Sequence, residues 1–515
     1  MEHAFTAPPP IPAVLMATSI PFASPATEKI GTAISTGNST GRTVVMYPGV
    51  GVGHLLPMVE LAKVFIRHGL AVTVALVEPP PRHLGLPGFS AAVARVAADN
   101  PSVTFHVLPS PPPPPAADDG NASTGGDVVQ AWIQHLDAMN APLRDFLRAV
   151  APPPRALVLD MFCFGALDVA AELDLPAYFF YPSGAGAVAV LLNLPTIINA
   201  GFNESTVNCP GVPPFKPSEL PTIFNGGESE TAKCFLRMSQ RMAESSGILV
   251  NSFESLETRA VQALRNGLCV AGGRVTPPVY CIGPLVSGGN GGEHECLRWL
   301  DDQPDKSVVF LSFGSRGTFP KRQLEEIATG LEMSGQKFLW VVRSPDAVTN
   351  DDKAFAAGEP DLDELLPQGF LERTKGRGMV VKSWAPQVEV LRHRACGAFV
   401  THCGWNSIIE GITAGVPLLC WPLYAEQRLN KVLIVEGMEL GVEMVGYDEE
   451  IVAAEEVEAK VRWVMESDGG HALRRRAAAA KEAAAEALEE GGTSYMAYVQ
   501  FLEDQTSNDR TKLSI

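Results

Sequence analysis

Short apolar runs recur along this chain, with stretches of helical spacing between most of them. Thr43–Tyr47 is apolar and ends in the Gly-rich loop Pro48–Gly53. Leu55, Leu56, Val59, Leu61, Ala62 and Phe65 then follow at helical intervals up to Gly69, and Ala71–Val77 is apolar again. That order predicts a strand, a helix and a second strand in a right-handed βαβ unit. Further strand-like runs are Val103–Leu108, Ala156–Leu159, Ala177–Tyr181, Gly247–Val250 and Val279–Ile282. After a Gly-rich stretch at 283–295 the pattern restarts. Ser307–Ser312 reads as a strand, Phe313–Gly317 as a tight turn and Lys321–Met333 as a helix. Strands are expected at Lys337–Val342, Met379–Lys382, Ala398–Thr401 and Pro417–Cys420, and helices at Val388–Arg392, Ser407–Ala414 and Glu426–Glu436. The chain ends in helical pattern at Ala454–Met465, Ala472–Leu488 and Ser494–Asp504. The expectation is an α/β protein of two doubly wound halves facing across a cleft, with ligands at the carboxyl ends of the strands.

Composition narrows the partners. With 515 residues, 46% hydrophobic and 19% charged, the chain has material for several domains and is not a disordered polymer. Its net charge of −18 opposes polyphosphate backbones, so nucleic acid is not an expected partner. Nine scattered cysteines without a CxxC read as buried single thiols of a reducing compartment, the cytoplasm, and not as disulfides or a zinc site. The apolar stretch Ala185–Leu192 breaks at Asn193 and Pro195, well short of the ~20 residues of a spanning helix. Residues 1–41, rich in Ala, Pro, Ser and Thr, read as a disordered extension, with a plastid-targeting segment as the other reading. The Pro-rich insert Pro109–Asp127 reads as a mobile surface loop.

The chemistry concentrates between Trp384 and Gln427. Thr401–Ser407 is a strand end entering a helix, where free backbone N–H groups point outward and favour an anion such as phosphate. His402 and Ser407 can add donors there, Gly404 permits close approach, and Glu410, one turn on, suits a ribose diol. The bland alternative makes Ser407 a helix cap and His402 a packed core residue. The whole block, WAPQVEVLRHRACGAFVTHCGWNSIIEGITAGVPLLCWPLYAEQ, resembles the signature box of plant secondary-product UDP-glycosyltransferases, including its 44-residue length. The resemblance runs from about Arg42 to Asp504 and implies the GT-B type of fold, two Rossmann-like domains with a C-terminal helix packing back on the first. It implies domains at 42–282 (acceptor) and 297–485 (UDP-sugar), a linker at 283–296, and a returning helix and tail at 486–515.

The resemblance also implies roles. Trp384 would stack on uracil, and Ala385 and Gln387 would bind uracil and ribose. His402, Asn406 and Ser407 would contact the pyrophosphate, joined by Ser315 in the turn FGSRG, and Glu410 the ribose. Trp405, Ala425, Glu426 and Gln427 would line the sugar. In the first half, GVGHLLPMVELA resembles the segment bearing the catalytic His, here His54, and Asp160 at the end of ALVLD resembles its partner. A carboxylate on one ring nitrogen fixes the tautomer and leaves the other free to take a proton. The implied reaction is metal-independent and uses no cofactor beyond UDP-glucose as donor substrate. One in-line displacement gives a β-glucoside of a small acceptor.

Glu426 and Gln427 offer acceptor and amide groups to the equatorial hydroxyls of glucose, and Trp405 is the residue usual in the family there; an Arg in its place would suit glucuronate by charge pairing. One departure is Pro182 before Ser183, where many members have Thr before Ser; Ser183 or a backbone group is expected to supply the missing contact. Acceptor walls are expected from Phe162, Phe164, Gly184, Met139 and the loops near 200–225. They suit a flat phenolic such as a flavonoid, with terpenoid or hormone acceptors as the alternative. The Asp pairs 118–119, 301–302 and 351–352 read as solvated surface in loops or beside a helix start, so no metal site is expected. A monomer without nucleic-acid or membrane partners is expected. Two other classes fit less well. A nucleotide-dependent oxidoreductase fits poorly, because His54 stands at the third Gly of GxGxxG and only Glu78 is available as the acidic residue. A non-catalytic UDP-sugar binder would lack His54 or Asp160.

Overall fold

The computed structural model describes residues 43–77, 89–110, 128–201, 205–221, 224, 229–270, 274–289, 293–345 and 359–512. The first half builds one parallel sheet from β1 (Thr43–Tyr47), β2 (Ala71–Val77), β3 (Thr104–Leu108), β4 (Ala156–Asp160), β5 (Ala177–Tyr181), β6 (Gly247–Val250) and β7 (Val279–Cys281), in the order β3-β2-β1-β4-β5-β6-β7. The second half builds another from β8 (Val308–Ser312), β9 (Lys337–Val342), β10 (Gly378–Lys382), β11 (Cys396–Thr401), β12 (Leu418–Cys420) and β13 (Gly441–Glu443), in the order β10-β9-β8-β11-β12-β13.

Both sheets are covered on both faces, which explains why their strands read as continuous apolar runs. In β1, Val45 and Tyr47 enter one core while Val44 and Met46 enter the core on the opposite face. In β8, Val308 and Phe310 face one layer and Val309 and Leu311 the other. The C-terminal helix Thr493–Lys512 packs on the first half, where Phe501 stacks on Phe65 at 5.4 Å and Tyr280 Oη donates to Asp504 Oδ2 at 2.6 Å. Burying a side chain such as Phe501 contributes about 1.5–3 kcal/mol to that docking.

Two expectations change. The edge strand β13 had not been anticipated; it has three residues, one of them Glu443. Asp301 ends the helix Glu295–Asp301 and Asp302 caps it, so this pair marks a helix end and not a start. Residues 1–42, residues 111–127 of the Pro-rich insert, Glu78, and the Asp pairs 118–119 and 351–352 lie outside the described residues. All nine cysteines are buried and none forms a disulfide. Among the described residues, no helix is long and apolar enough to cross a membrane, and no group of three or more His, Cys, Asp or Glu side chains is arranged to hold a metal ion.

Candidate active site

Each sheet reverses its strand order once, between β1 and β4 in the first and between β8 and β11 in the second. Crevices at the carboxyl ends of such strands are where doubly wound sheets bind ligands. Every residue singled out around these strands lies at one of the two reversals. His54 follows β1, Asp160 ends β4, Ser315 follows β8 and His402 follows β11.

The loop from β1 turns through Gly49 and Gly51, at φ 65° and 103°, into the helix Val52–Arg67. A side chain at Gly49 would also meet Cys163 Sγ at 2.9 Å, so both backbone and space require glycine there. His54 Nδ1 lies 2.7 Å from Asp160 Oδ2, and Asp160 Oδ1 accepts the Phe162 N–H at 3.0 Å. The ionised carboxylate only accepts, so Nδ1 carries the hydrogen and Nε2 is the basic nitrogen. The Asp160 side chain is fully buried, while His54 keeps 25% of its surface. Burial works against a charged His54 ring. The charge and hydrogen bond of Asp160, helped by Glu426, outweigh it and raise the pKa above its ordinary 6.5.

In the second half, the helix Trp405–Ala414 starts at Gly404 and directs its first free N–H groups toward the reversal. His402 is clasped between two glycines, since a Cβ at Gly314 or at Gly404 would sit 2.6 Å from its ring. Burial lowers the His402 pKa to about 4, so the ring is neutral near pH 7. Its Nδ1 has no hydrogen-bond partner among the described residues. Gln387 Nε2 donates to Ser407 Oγ at 2.8 Å and to Glu410 Oε2 at 2.6 Å, joining the starts of two helices. Burial pushes the Glu410 carboxyl up to about 7, leaving an acceptor that gains from two hydroxyl donors. Trp384 is 64% exposed and meets the His294 ring edge-on at 5.8 Å. Ala385 is buried and Ser315 exposed. Of the six non-glycine residues with positive φ among the described residues, three (Ser383, Cys403 and Ala425) fall in or directly before this block. Such strain persists where surrounding structure over-determines the backbone, often at functional sites.

The two halves touch through these same residues. Pro57 lies inside the helix Val52–Arg67. Having no N–H, it denies the Gly53 carbonyl, four residues earlier, its helical donor. Asn406 Nδ2 from the second half takes that carbonyl at 3.0 Å. Trp405 Nε1 donates to the Asn251 carbonyl at 2.7 Å, and its ring tip packs where a Cβ on Gly184 would collide at 2.4 Å. The Trp405 indole is therefore committed to the first half, and its backbone N–H is what it can offer a ligand. Burial raises the Glu426 pKa, against the pull of its own backbone hydrogen bond and of His54 across the cleft. Gln427 Oε1 accepts the N–H groups of Leu423 and Tyr424 at 2.8 and 3.0 Å, so its amide nitrogen is the group left for a sugar hydroxyl. The buried Ser183 Oγ has no hydrogen-bond partner among the described residues.

The acceptor walls differ from expectation. Met139 and Phe164 are buried in the first core, and Gly184 is closed in by Trp405 and Glu257. Their space is filled by neighbours such as Arg237, whose guanidinium lies 5.4 Å from the Phe164 ring. Phe162 does approach His54, the two rings 5.2 Å apart. Phe235 meets Phe162 edge-on at 6.2 Å and Phe224 meets Phe235 at 5.7 Å, which extends the aromatic wall. Phe235 carried no distinguishing sign in the sequence beyond lying on an amphipathic helix. Glu257 was also missed; it accepts the N–H groups of Ala185 and Gly186, each at 2.8 Å, and holds the start of the helix Ala185–Ala200.

Residues 257–469 match the family model described as UDP-glucoronosyl and UDP-glucosyl transferase. The anthocyanidin 5,3-O-glucosyltransferase of a Rosa hybrid cultivar is 40% identical over 481 residues, covering 88% of this chain and 97% of that protein. The isoflavone 7-O-glucosyltransferase 1 of Glycine max is 38% identical over 88% of this chain and 96% of its own. Among solved structures, Phytolacca americana UGT2 complexed with UDP-2fluoro-glucose and pterostilbene has a TM-score of 0.77 at 31% identity, covering 90% of this chain and 100% of that one. Medicago truncatula UGT71G1 complexed with UDP-glucose has a TM-score of 0.75 at 31% identity, covering 90% and 98%. With its two Rossmann-like sheets in the GT-B arrangement, the chain belongs to the UDP-glycosyltransferase family and is an enzyme of that class.

Proposed function

We propose that this enzyme transfers glucose from UDP-glucose to a hydroxyl of a small phenolic acceptor, such as a flavonoid, with inversion to a β-glucoside. His54 acts as general base through Nε2, and Asp160 holds its tautomer and stabilises the imidazolium that forms. The acceptor oxygen then attacks the anomeric carbon in line and UDP leaves. The diphosphate gains charge, which the helix start at Trp405, together with His402, Asn406, Ser407 and Ser315, stabilises. Trp384, Ala385, Gln387 and Glu410 hold the uridine. Glu426, Gln427, Ala425, Ser183 and the Trp405 backbone address the sugar. Residues 42–282 take the acceptor and 297–485 the donor, joined by 283–296, with 486–515 returning to the first half. The enzyme works as a cytoplasmic monomer, without metal or further cofactor.

The observation that supports this reading most is the 2.7 Å His54–Asp160 pair, whose helix accepts a hydrogen bond from Asn406 at the start of the opposite helix. The phenolic class rests on the aromatic wall Phe162–Phe235–Phe224 beside His54, and on the acceptors named for the similar proteins. The test is turnover of UDP-glucose with a panel of flavonoids, simple phenols and terpenoids, with the anomeric proton read by NMR. A β-glucoside of a phenol is expected. An α-product, or glucosylation of terpenoids alone, overturns the reading.

A further inference from the structure

We propose that Glu219 is a positioning residue for sugar transfer, acting through Lys431 to set the sugar-facing helix start against the acceptor wall. The inference rests on the glucosyltransferase reading above. Glu219 ends a single turn, Pro217–Glu219, in the first half, and Lys431 lies on the helix Gln427–Val432 of the second. Both are buried, and Lys431 Nζ is 2.9 Å from Glu219 Oε1 and 3.3 Å from Glu443 Oε2. Tyr447 Oη reaches the two Glu219 oxygens at 3.3 and 3.1 Å, and Arg428 donates to the Ser218 carbonyl at 3.3 Å. Burial disfavours the Lys431 charge, but Glu219, with Tyr447 and Glu443, outweighs it and keeps the ammonium charged.

A buried ion pair is a poor device for stability alone, because desolvation offsets most of the attraction. Its geometry is better suited to fixing one arrangement of two parts. Asn430, beside Lys431, donates to the Cys403 carbonyl at 3.0 Å and so ties the same short helix to the turn that meets the diphosphate. Gln427 and Glu426 stand at the start of that helix. On the other side, five residues beyond Glu219, Phe224 begins the aromatic wall that leads to His54. One helix of six residues is thus held to the donor side by Asn430 and to the acceptor side by Lys431. Shifting it misaligns the sugar and the acceptor without touching the uridine contacts.

The test compares the full-length parent with Glu219→Gln, Lys431→Met and the double variant. Melting temperature, UDP affinity by calorimetry, and kcat and KM for UDP-glucose with a phenolic acceptor are measured for each. The singles are expected to melt lower, since each leaves a buried group without its partner. The double removes both buried charges and leaves only the partly exposed Glu443 carboxylate without its ammonium, so it recovers the parental melting temperature to within a few degrees. Its kcat stays about ten- to a hundredfold low, the scale of a small misplacement of reactants, while UDP affinity changes less than about twofold. A double variant with both parental melting temperature and parental kcat overturns the proposal. Should the double fail to fold, Glu219→Asp decides, because it keeps the charge but draws the carboxylate back. A lowered kcat at parental stability and UDP affinity is expected, and parental rate constants overturn the idea. A parent that transfers no glucose to any phenol defeats the functional reading itself, and the positioning role with it.

Discussion

The two halves share one strand order up to the sixth strand but use its reversal in opposite electrostatic senses. In the first half, a buried carboxylate raises the basicity of a partly exposed imidazole. In the second, burial pushes His402 and Glu410 toward their neutral forms, with pKa values of about 4 and 7. One reversal favours a charged ring, whereas the other favours neutral polar groups. The difference shows that topology fixes where a site lies while local burial decides what it can do.

Mutations should separate the two halves cleanly. The largest effect is expected from His54→Ala, with kcat falling about 10²- to 10⁴-fold and UDP affinity unchanged by calorimetry. Full transfer activity in that variant would remove the proposed mechanism. Asp160→Asn should cost a similar order, because an amide no longer dictates the tautomer. Its pH profile adds a second readout. The base must be neutral, so parental kcat/KM falls as pH drops through a limb above 6.5. In Asp160→Asn that limb should move to lower pH, and an unmoved limb would mean Asp160 does not tune the ring.

Gly404→Ala acts on the other half. A Cβ 2.6 Å from His402 Nε2 forces the ring to move, which should weaken UDP binding, while overpacking of this kind costs about 1–3 kcal/mol of stability. Unchanged UDP affinity would mean that His402 does not meet the diphosphate. Glu410 offers a subtler test. Its carboxyl in the empty site stays protonated below about 7. Ribose hydroxyls favour the ionised form, so UDP-glucose binding at about pH 6 should release a proton, seen as a buffer-dependent heat. Glu410→Gln should abolish that release, and a release that persists would assign the proton elsewhere. The smallest effect is expected for Gln427→Ala, which should weaken discrimination among UDP-sugars more than UDP binding; equal losses for all donors would count against its role.

Much of this was legible because of how the fold is built. Strands buried on both faces leave apolar runs that read directly from sequence, as in Thr43–Tyr47 and Cys396–Thr401. The three-residue edge strand β13, with Glu443 in it, has no such run. The segment proposed to take the donor stands out because its polar residues crowd into one continuous stretch around a helix start. The proposed acceptor wall does not. Phe235 meets Phe162, and Phe224 meets Phe235, only through tertiary packing, while Phe164 and Met139, equally apolar in sequence, turned into the core. The Glu219–Lys431 pair spans 212 positions, and nothing local to either residue announces the other.

Pro57 has a wider consequence. By withholding one hydrogen it opens a socket in its own helix, and the opposite lobe plugs into that socket with Asn406. Any other residue at 57 would bring back an amide able to close the helix on itself and evict the visitor. A flaw tolerated by one lobe thereby becomes the other lobe's handhold, one residue from the imidazole proposed as the base.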